Sequence, residues 1–420
     1  MSVPYHRLPR VDANWRWWRP LVALAVFLGF YMLSQIVIGI AYLVPIATQR
    51  GPEGLDDLLT KLSEGALDPT DPLVLSMSLV SLVVLLPAIM LSTRIARLGP
   101  YGLLSSIRLR VRWGWLGWCL LPLLVLGIVM FLLQSWGMFA FDGGLHWNTA
   151  AIGQSTVSVQ TLTVTILLVV LLVPFQAAAE EYVFRGFLMQ TIGSWIPVRV
   201  VSTVVAVGVS TVLFAVLHVP NGYNIWGILD VGSFGLVAAV IVLRTGGLEA
   251  TVLQHALNNI MIFVLQAPGW SEIDLTGEGS QGTPAGFLVT LATSLGYWGL
   301  IELMAHWRRL DRRFPGQEAP RFHGPAPRWA GGRQWLRPGG PGWSGAPALG
   351  DGSVTSGDPA LVGVGVGVGA GAGVGSGAGT GAGARSSVSA PAPASGSEEG
   401  AGAGAEAVPV EKSGGVGPRP

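Results

Sequence analysis

The chain has 420 residues, half of them hydrophobic and only 12% charged, against about 25% charged in ordinary soluble domains. The net charge of +1 gives no electrostatic case for nucleic acid, and none is expected as a partner. The single cysteine, Cys119, excludes an intrachain disulfide and any cysteine-based metal site, and reads as a small buried hydrophobe.

These totals describe an all-α, polytopic membrane protein. Residues 1–20 form a basic flank with Arg7, Arg10, Arg16 and Arg19. The apolar run from Leu21 to Ala47 is longer than the 7–15 residues or so of a signal-peptide core and reads as a retained first span. A helix needs about 20 apolar residues to cross a bilayer. On that rule eight spans are expected, at 21–47, 73–93, 114–134, 161–190, 200–218, 226–243, 248–267 and 285–306. The first three fill an N-terminal part, 21–158; the next four make a core, 159–267; the last lies within 268–307.

Charge sets the expected orientation. Arginines crowd the N-terminal flank, the loop at 94–112 and the segment after the last span (Arg308, Arg309, Arg312, Arg313). Acidic residues occupy the alternate loops: Glu53, Asp56, Asp57, Glu64, Asp68 and Asp71, then Glu272, Asp274 and Glu278. An even number of spans with both termini in the cytoplasm satisfies every one of these loops. Trp15, Trp17, Trp18, Trp113, Trp115 and Trp118 are expected as interfacial anchors. From 308 to 420 the chain turns Arg-rich and then Gly/Ala/Pro-rich, with "GVGVGVGAGAGVGSGAGTGAGA" at Gly363 to Ala384. Such a composition buries too little apolar surface to offset its ordering entropy, so a disordered tail with a solvated basic stem is expected.

The informative stretch is "AAAEEYVFRG", Ala177 to Gly186. A charge at the bilayer centre costs about 2.5–3.5 kcal/mol on insertion scales. Glu181 and Arg185 are four apart on a helix and share a face, so they can neutralise one another. Glu180 is rotated about 100° away and is left free. "FAVLH" ends in His218, and "HALNN" sets His255 and Asn259 four apart on another helix. Two hydrogen-bond donors on one face suit a developing oxyanion. A free carboxylate beside another imidazole suits the deprotonation of a water. The plain reading of each signal is a structural ion pair, an interfacial histidine and interhelical hydrogen bonding. Asp230, Glu249 and Glu302 lie near span ends and receive no catalytic role; Glu249 suits the helix dipole at its start. Depth is a difficulty. Straight helices put His218 about 27 Å from the start of its span, but His255 only about 13 Å from the turn at Gly246–Gly247.

The order EExxxR, FxxxH, HxxxN on successive spans resembles the CPBP intramembrane proteases, also called the Abi or CAAX prenyl protease 2-like family. The motifs here are Glu180-Glu181-Tyr182-Val183-Phe184-Arg185, Phe214 to His218, and His255 to Asn259, with Gly186 also fitting; together they cover roughly 160–265. The resemblance implies an intramembrane endopeptidase acting on a membrane-associated protein or peptide. It implies that Glu180 and His218 activate a water, that His255 and Asn259 stabilise the oxyanion, and that Glu181 and Arg185 support them. No cofactor is required on this reading. Zinc held by Glu180, His218 and His255 is the open alternative, although no HExxH signature is present. A non-catalytic membrane scaffold or immunity-type protein is the competing function, and a transporter ranks last because no inverted repeat is visible.

Overall fold

The computed structural model describes residues 2–12, 15–64, 71–135, 157–219, 223–267 and 282–318. Among them are ten α-helices and a single two-stranded pairing, so the all-α expectation stands. His146, the acidic loop with Glu272, Asp274 and Glu278, and the tail beyond residue 318 lie outside the described residues.

Sequence chemistry explains where the helices break. α1 (Arg19–Glu64) is interrupted at Gly51, where φ is 71°, with Pro52 opening the second piece. α2 (Pro72–Val83) starts on an Asp71 side chain that accepts from the Leu73 N–H at 2.8 Å. α3 (Leu85–Ile95) follows in the same apolar run. Pro87 has no N–H to give the Val83 carbonyl, which accounts for the interruption at Val84. α4 (Trp113–Ser135) comes next. α5 (Val159–Glu181) passes through a widened π turn, Tyr182–Leu188, into α6 (Met189–Trp195), so Val159–Trp195 is one continuous helical segment. α7 (Arg199–Val216), α8 (Ile225–Thr245), α9 (Glu249–Gln266) and α10 (Pro284–Trp307) complete the set. α5 packs chiefly on α9 and α2, and α8 packs between α7 and α10.

Among the described residues, six segments are long and apolar enough to cross a membrane: Arg19–Gln49, Pro72–Ile95, Val159–Trp195, Arg199–Val216, Ile225–Thr245 and Pro284–Trp307. The protein is therefore a multi-pass membrane protein. The expected eight is not reached among the described residues. α4 supplies only a shorter apolar stretch, Trp113–Val129. α9 is diluted by Glu249, Gln254, His255, Asn258 and Asn259.

The connections gather around the N-terminal segment. β1 (Ser2–Val3) pairs antiparallel with β2 (Phe314–Pro315). A buried 3₁₀ turn, Tyr5–Val11, packs against α6. Arg7 donates bidentately to Glu318 at 2.7 and 2.8 Å and gives a 2.7 Å hydrogen bond to the Ile196 carbonyl. Arg10 donates to the Ser194 carbonyl at 2.6 Å. These arginines satisfy carbonyls at the C-terminal end of α6, which have no helical partner. Between α3 and α4, the Ile107 N–H bonds the Gly246 carbonyl at 2.8 Å, and Leu248 N–H bonds Ser105 O at 2.9 Å. Gly246, at φ 72°, ends α8 in the left-handed conformation. Arg112 grips Glu249 with two bonds of 2.8 and 2.7 Å, so Glu249 is an ion-pair partner as well as a helix-start residue.

Arg7 and Arg10 of the basic flank are buried, where Glu318 pairs with both. Two expectations need correction. Trp115, expected as an anchor, is buried in an apolar cluster with Cys119, Tyr297 and Ile301, whereas Trp17, Trp18, Trp113 and Trp118 are exposed. The segment from Arg308 to Glu318 is docked, not tail: Arg308 lies over the Trp118 ring and Arg312 pairs with Glu302 at 2.6 Å.

Candidate active site

The site forms where α5 and its π turn face α9, with α7 alongside. Glu181 and Arg185 are both fully buried and are joined at 2.8 Å, Arg185 Nη1 to Glu181 Oε1. The guanidinium lies over the Phe214 ring, 4.1 Å from its centroid. Gly235 on α8 makes room for it: a Cβ there would stand 3.0 Å from Arg185 Nη2. In the π turn the Phe184 carbonyl accepts from the Met189 N–H five residues on, and also from Ser210 Oγ of α7 at 3.0 Å.

His255 lies between two carboxylates. Its Nδ1 is 3.1 Å from Glu181 Oε1 and its Nε2 is 3.6 Å from Glu180 Oε2. Glu181 Oε1 already accepts from Arg185, so it is an ionised acceptor and the hydrogen belongs on His255 Nδ1. That leaves Nε2 facing Glu180. Glu180 accepts on Oε1 from Gln176 Nε2, while its Oε2 is buried and has no hydrogen-bond partner. Gln176 Oε1 in turn accepts from Asn259 Nδ2 at 3.1 Å. Glu180, Glu181, Arg185, His255 and Asn259 therefore form one connected polar group inside the helices.

His218 packs against the same Phe214 ring as this group. The Phe214 centroid is 4.7 Å from the His218 ring and 6.1 Å from the His255 ring. One phenylalanine thus flanks both imidazoles, despite the depth difference that straight helices imply. His218 Nδ1 is 2.7 Å from the Phe214 carbonyl. A carbonyl only accepts, so Nδ1 carries the hydrogen and Nε2 of the neutral ring is an acceptor. Tyr223 lies beside it, ring centroids 6.4 Å apart. Burial pushes the Tyr223 phenol up, with the negative charges of Asp230 and Glu180 adding to it, so it remains a neutral donor.

Residues 160–261 match the family model described as type II CAAX prenyl endopeptidase Rce1-like. Over this stretch the chain is similar to that family. A curated relative, the uncharacterized protein YyaK of Bacillus subtilis (strain 168), is 26% identical over 265 residues, which cover 60% of this chain and 79% of YyaK. No solved structure matches the chain.

The Rce1-like segment contains every candidate residue. Among the described residues no three His, Cys, Asp or Glu side chains are grouped so that they could hold a metal ion. No step below passes through a metal. Sequence reasoning missed Gln176 and Tyr223. Gln176 carries a signal that could have been used, since it lies four residues before Glu180 on the same helix.

Proposed function

We propose that this protein is an intramembrane endopeptidase that hydrolyses a peptide bond of a membrane-associated protein or peptide with water activated by Glu180. The supporting observation is Glu180 Oε2, a buried carboxylate oxygen without a partner, 3.6 Å from His255 Nε2. Buried polar atoms without partners are rare and call for an explanation. A water bound against Oε2 supplies one.

In the reaction, Glu180 takes a proton from that water, and His218 Nε2 accepts its other hydrogen and orients it. The hydroxide adds to the scissile carbonyl. His255 in its doubly protonated form, with Nδ1–H on the Glu181 carboxylate and Nε2–H free to donate, and the second N–H of the Asn259 amide donate to the oxyanion. The C–N bond then breaks, and the proton held by Glu180 passes to the leaving amine. The products are a carboxylic acid and an amine, so one water is consumed per bond. Arg185 keeps Glu181 ionised and so fixes the His255 ring. The surroundings are the lipid bilayer, and the arginine-rich connections support an orientation with both termini in the cytoplasm.

The test is Glu180→Gln, nearly isosteric with the native side chain. New protein termini that appear in membranes with the wild type should vanish with the variant while thermal stability is retained. Unchanged cleavage by Glu180→Gln would overturn the proposal in favour of a scaffold.

A further inference from the structure

We infer that Gln176 is a positioning residue for the hydrolytic reaction, holding the water-activating carboxylate and the oxyanion-binding amide in one fixed arrangement. The inference rests on the endopeptidase reading above. Gln176 interrupts an apolar run and is 4% exposed. A carboxamide buried there is costly unless both of its ends are bonded. Both are: Nε2 donates to Glu180 Oε1, and Oε1 accepts from Asn259 Nδ2 at 3.1 Å.

The direction of these bonds is forced. An ionised carboxylate only accepts, so Gln176 must turn its NH₂ to Glu180. Its oxygen is then directed to α9, and Asn259 must answer with its NH₂. Asn259 Oδ1 is turned away, where Asn258 Nδ2 lies 3.3 Å from it. Two consequences follow. Glu180 Oε1 is occupied, so Oε2 is the oxygen left for water. The donor end of Asn259 is fixed on Gln176 Oε1, which leaves its second N–H as the one offered to an oxyanion. An amide that was free to flip would present its oxygen there half the time and repel the oxyanion. Gln176 touches no reacting atom; it acts through the two residues that do.

The test uses full-length protein reconstituted into membranes from cells that lack it. The membrane fraction is the substrate pool, and the signal is the rate at which Glu180-dependent termini appear, read by mass spectrometry. A dilution series of the pool separates kcat from KM. Losing an oxyanion donor outright costs about 10²–10³ in kcat; Gln176→Met leaves Asn259 present but unaimed, so kcat should fall about 10- to 100-fold with KM unchanged. In a cycle with Asn259→Ala the two effects should be strongly non-additive, because contacting residues couple. Gln176→Glu, which fills the same space but cannot donate to an ionised Glu180, should also lose kcat, and it serves if the Met variant is unstable. A wild-type kcat for both Gln176 variants, or effects that multiply with Asn259→Ala, would overturn the inference while Glu180-dependent cleavage persisted. If no termini depend on Glu180, the endopeptidase reading itself fails, and this inference with it.

Discussion

Arg185→Met is the most direct probe of how the site is held together. Arg185 and Glu181 are both 0% exposed, at 2.8 Å. Removing the guanidinium leaves an ionised carboxylate supported by His255 Nδ1 at 3.1 Å and by the Thr251 side chain, with no cation fixed beside it. Breaking one side of a buried ion pair costs about 3–5 kcal/mol, because the surviving charge is uncompensated. At 1.4 kcal/mol per decade, that is about two to four orders of magnitude in the unfolding constant. Methionine keeps most of the apolar contact with the Phe214 ring, so packing loss is a minor part of the effect. The control is Glu181→Gln with Arg185→Met: both charges are gone, the glutamine oxygen still accepts from His255, and stability should return to within about 1 kcal/mol of wild type. Arg185→Lys should fall between, as a point charge without the planar fork. The assay is reversible SDS-induced unfolding in mixed micelles. A loss below about 1 kcal/mol for Arg185→Met, or a double variant no more stable than the single one, would refute the reasoning.

Phe214→Leu removes the ring under the guanidinium and the spacer between the imidazoles; a desolvated cation–π contact is worth about 2 kcal/mol, and thermal unfolding should show a loss of that order together with reduced cleavage. His6 titrates about 4, because burial and then the adjacent Arg7 charge oppose its protonation, while Glu318 works the other way. Its unfolded value is near 6.5, so the unfolded chain alone takes up a proton between these limits. Stability is therefore full above about pH 6.5 and declines toward pH 4, by at most about 3 kcal/mol; His6→Gln should flatten unfolding midpoints measured across that window. The carboxyl of Glu318 is buried, which raises it, but Arg7 and Arg10 hold it below its usual range. Its contribution is lost only at lower pH, after His6 has begun to charge. Gly193→Ala would place a Cβ 2.2 Å from the His6 carbonyl oxygen, and hydrogen exchange should report loosening of Tyr5–Val11 at a cost of about 1–3 kcal/mol.

The site was legible wherever its logic is local. The spacing of four between Glu181 and Arg185 predicts a shared face, and the 2.8 Å bond is there even though a π turn begins between them. The same spacing sets His255 and Asn259 together against α5. Local logic also leaves Glu180 apart from the ion pair, and its Oε2 is unpartnered. What was not legible depends on partners far along the chain. Arg7 counts as a flanking positive charge when residues are tallied near span ends, but its partner Glu318 is 311 residues away. Gln176 reads as an isolated polar residue in an apolar run until Asn259 of α9 is placed opposite it. Trp115 follows the interfacial rule by position and breaks it by burial, because α4 turns that face toward Tyr297 and Ile301 of α10.

The shortfall in apolar helices has the same origin. A hydropathy count treats each helix as if all of its surface met lipid. α9 fails such a count because of the residues that make it interesting. Glu249 is held by Arg112, His255 meets Glu181 and Glu180, and Asn259 meets Gln176. Those side chains are directed at protein, mainly at α5, which is the longest contact α9 makes. In hydrocarbon a polar group is tolerable when another polar group answers it. The helix least suited to meet lipid alone is therefore the one that the neighbouring helix must cover, and that cover is what shapes an enclosed polar group around Glu180.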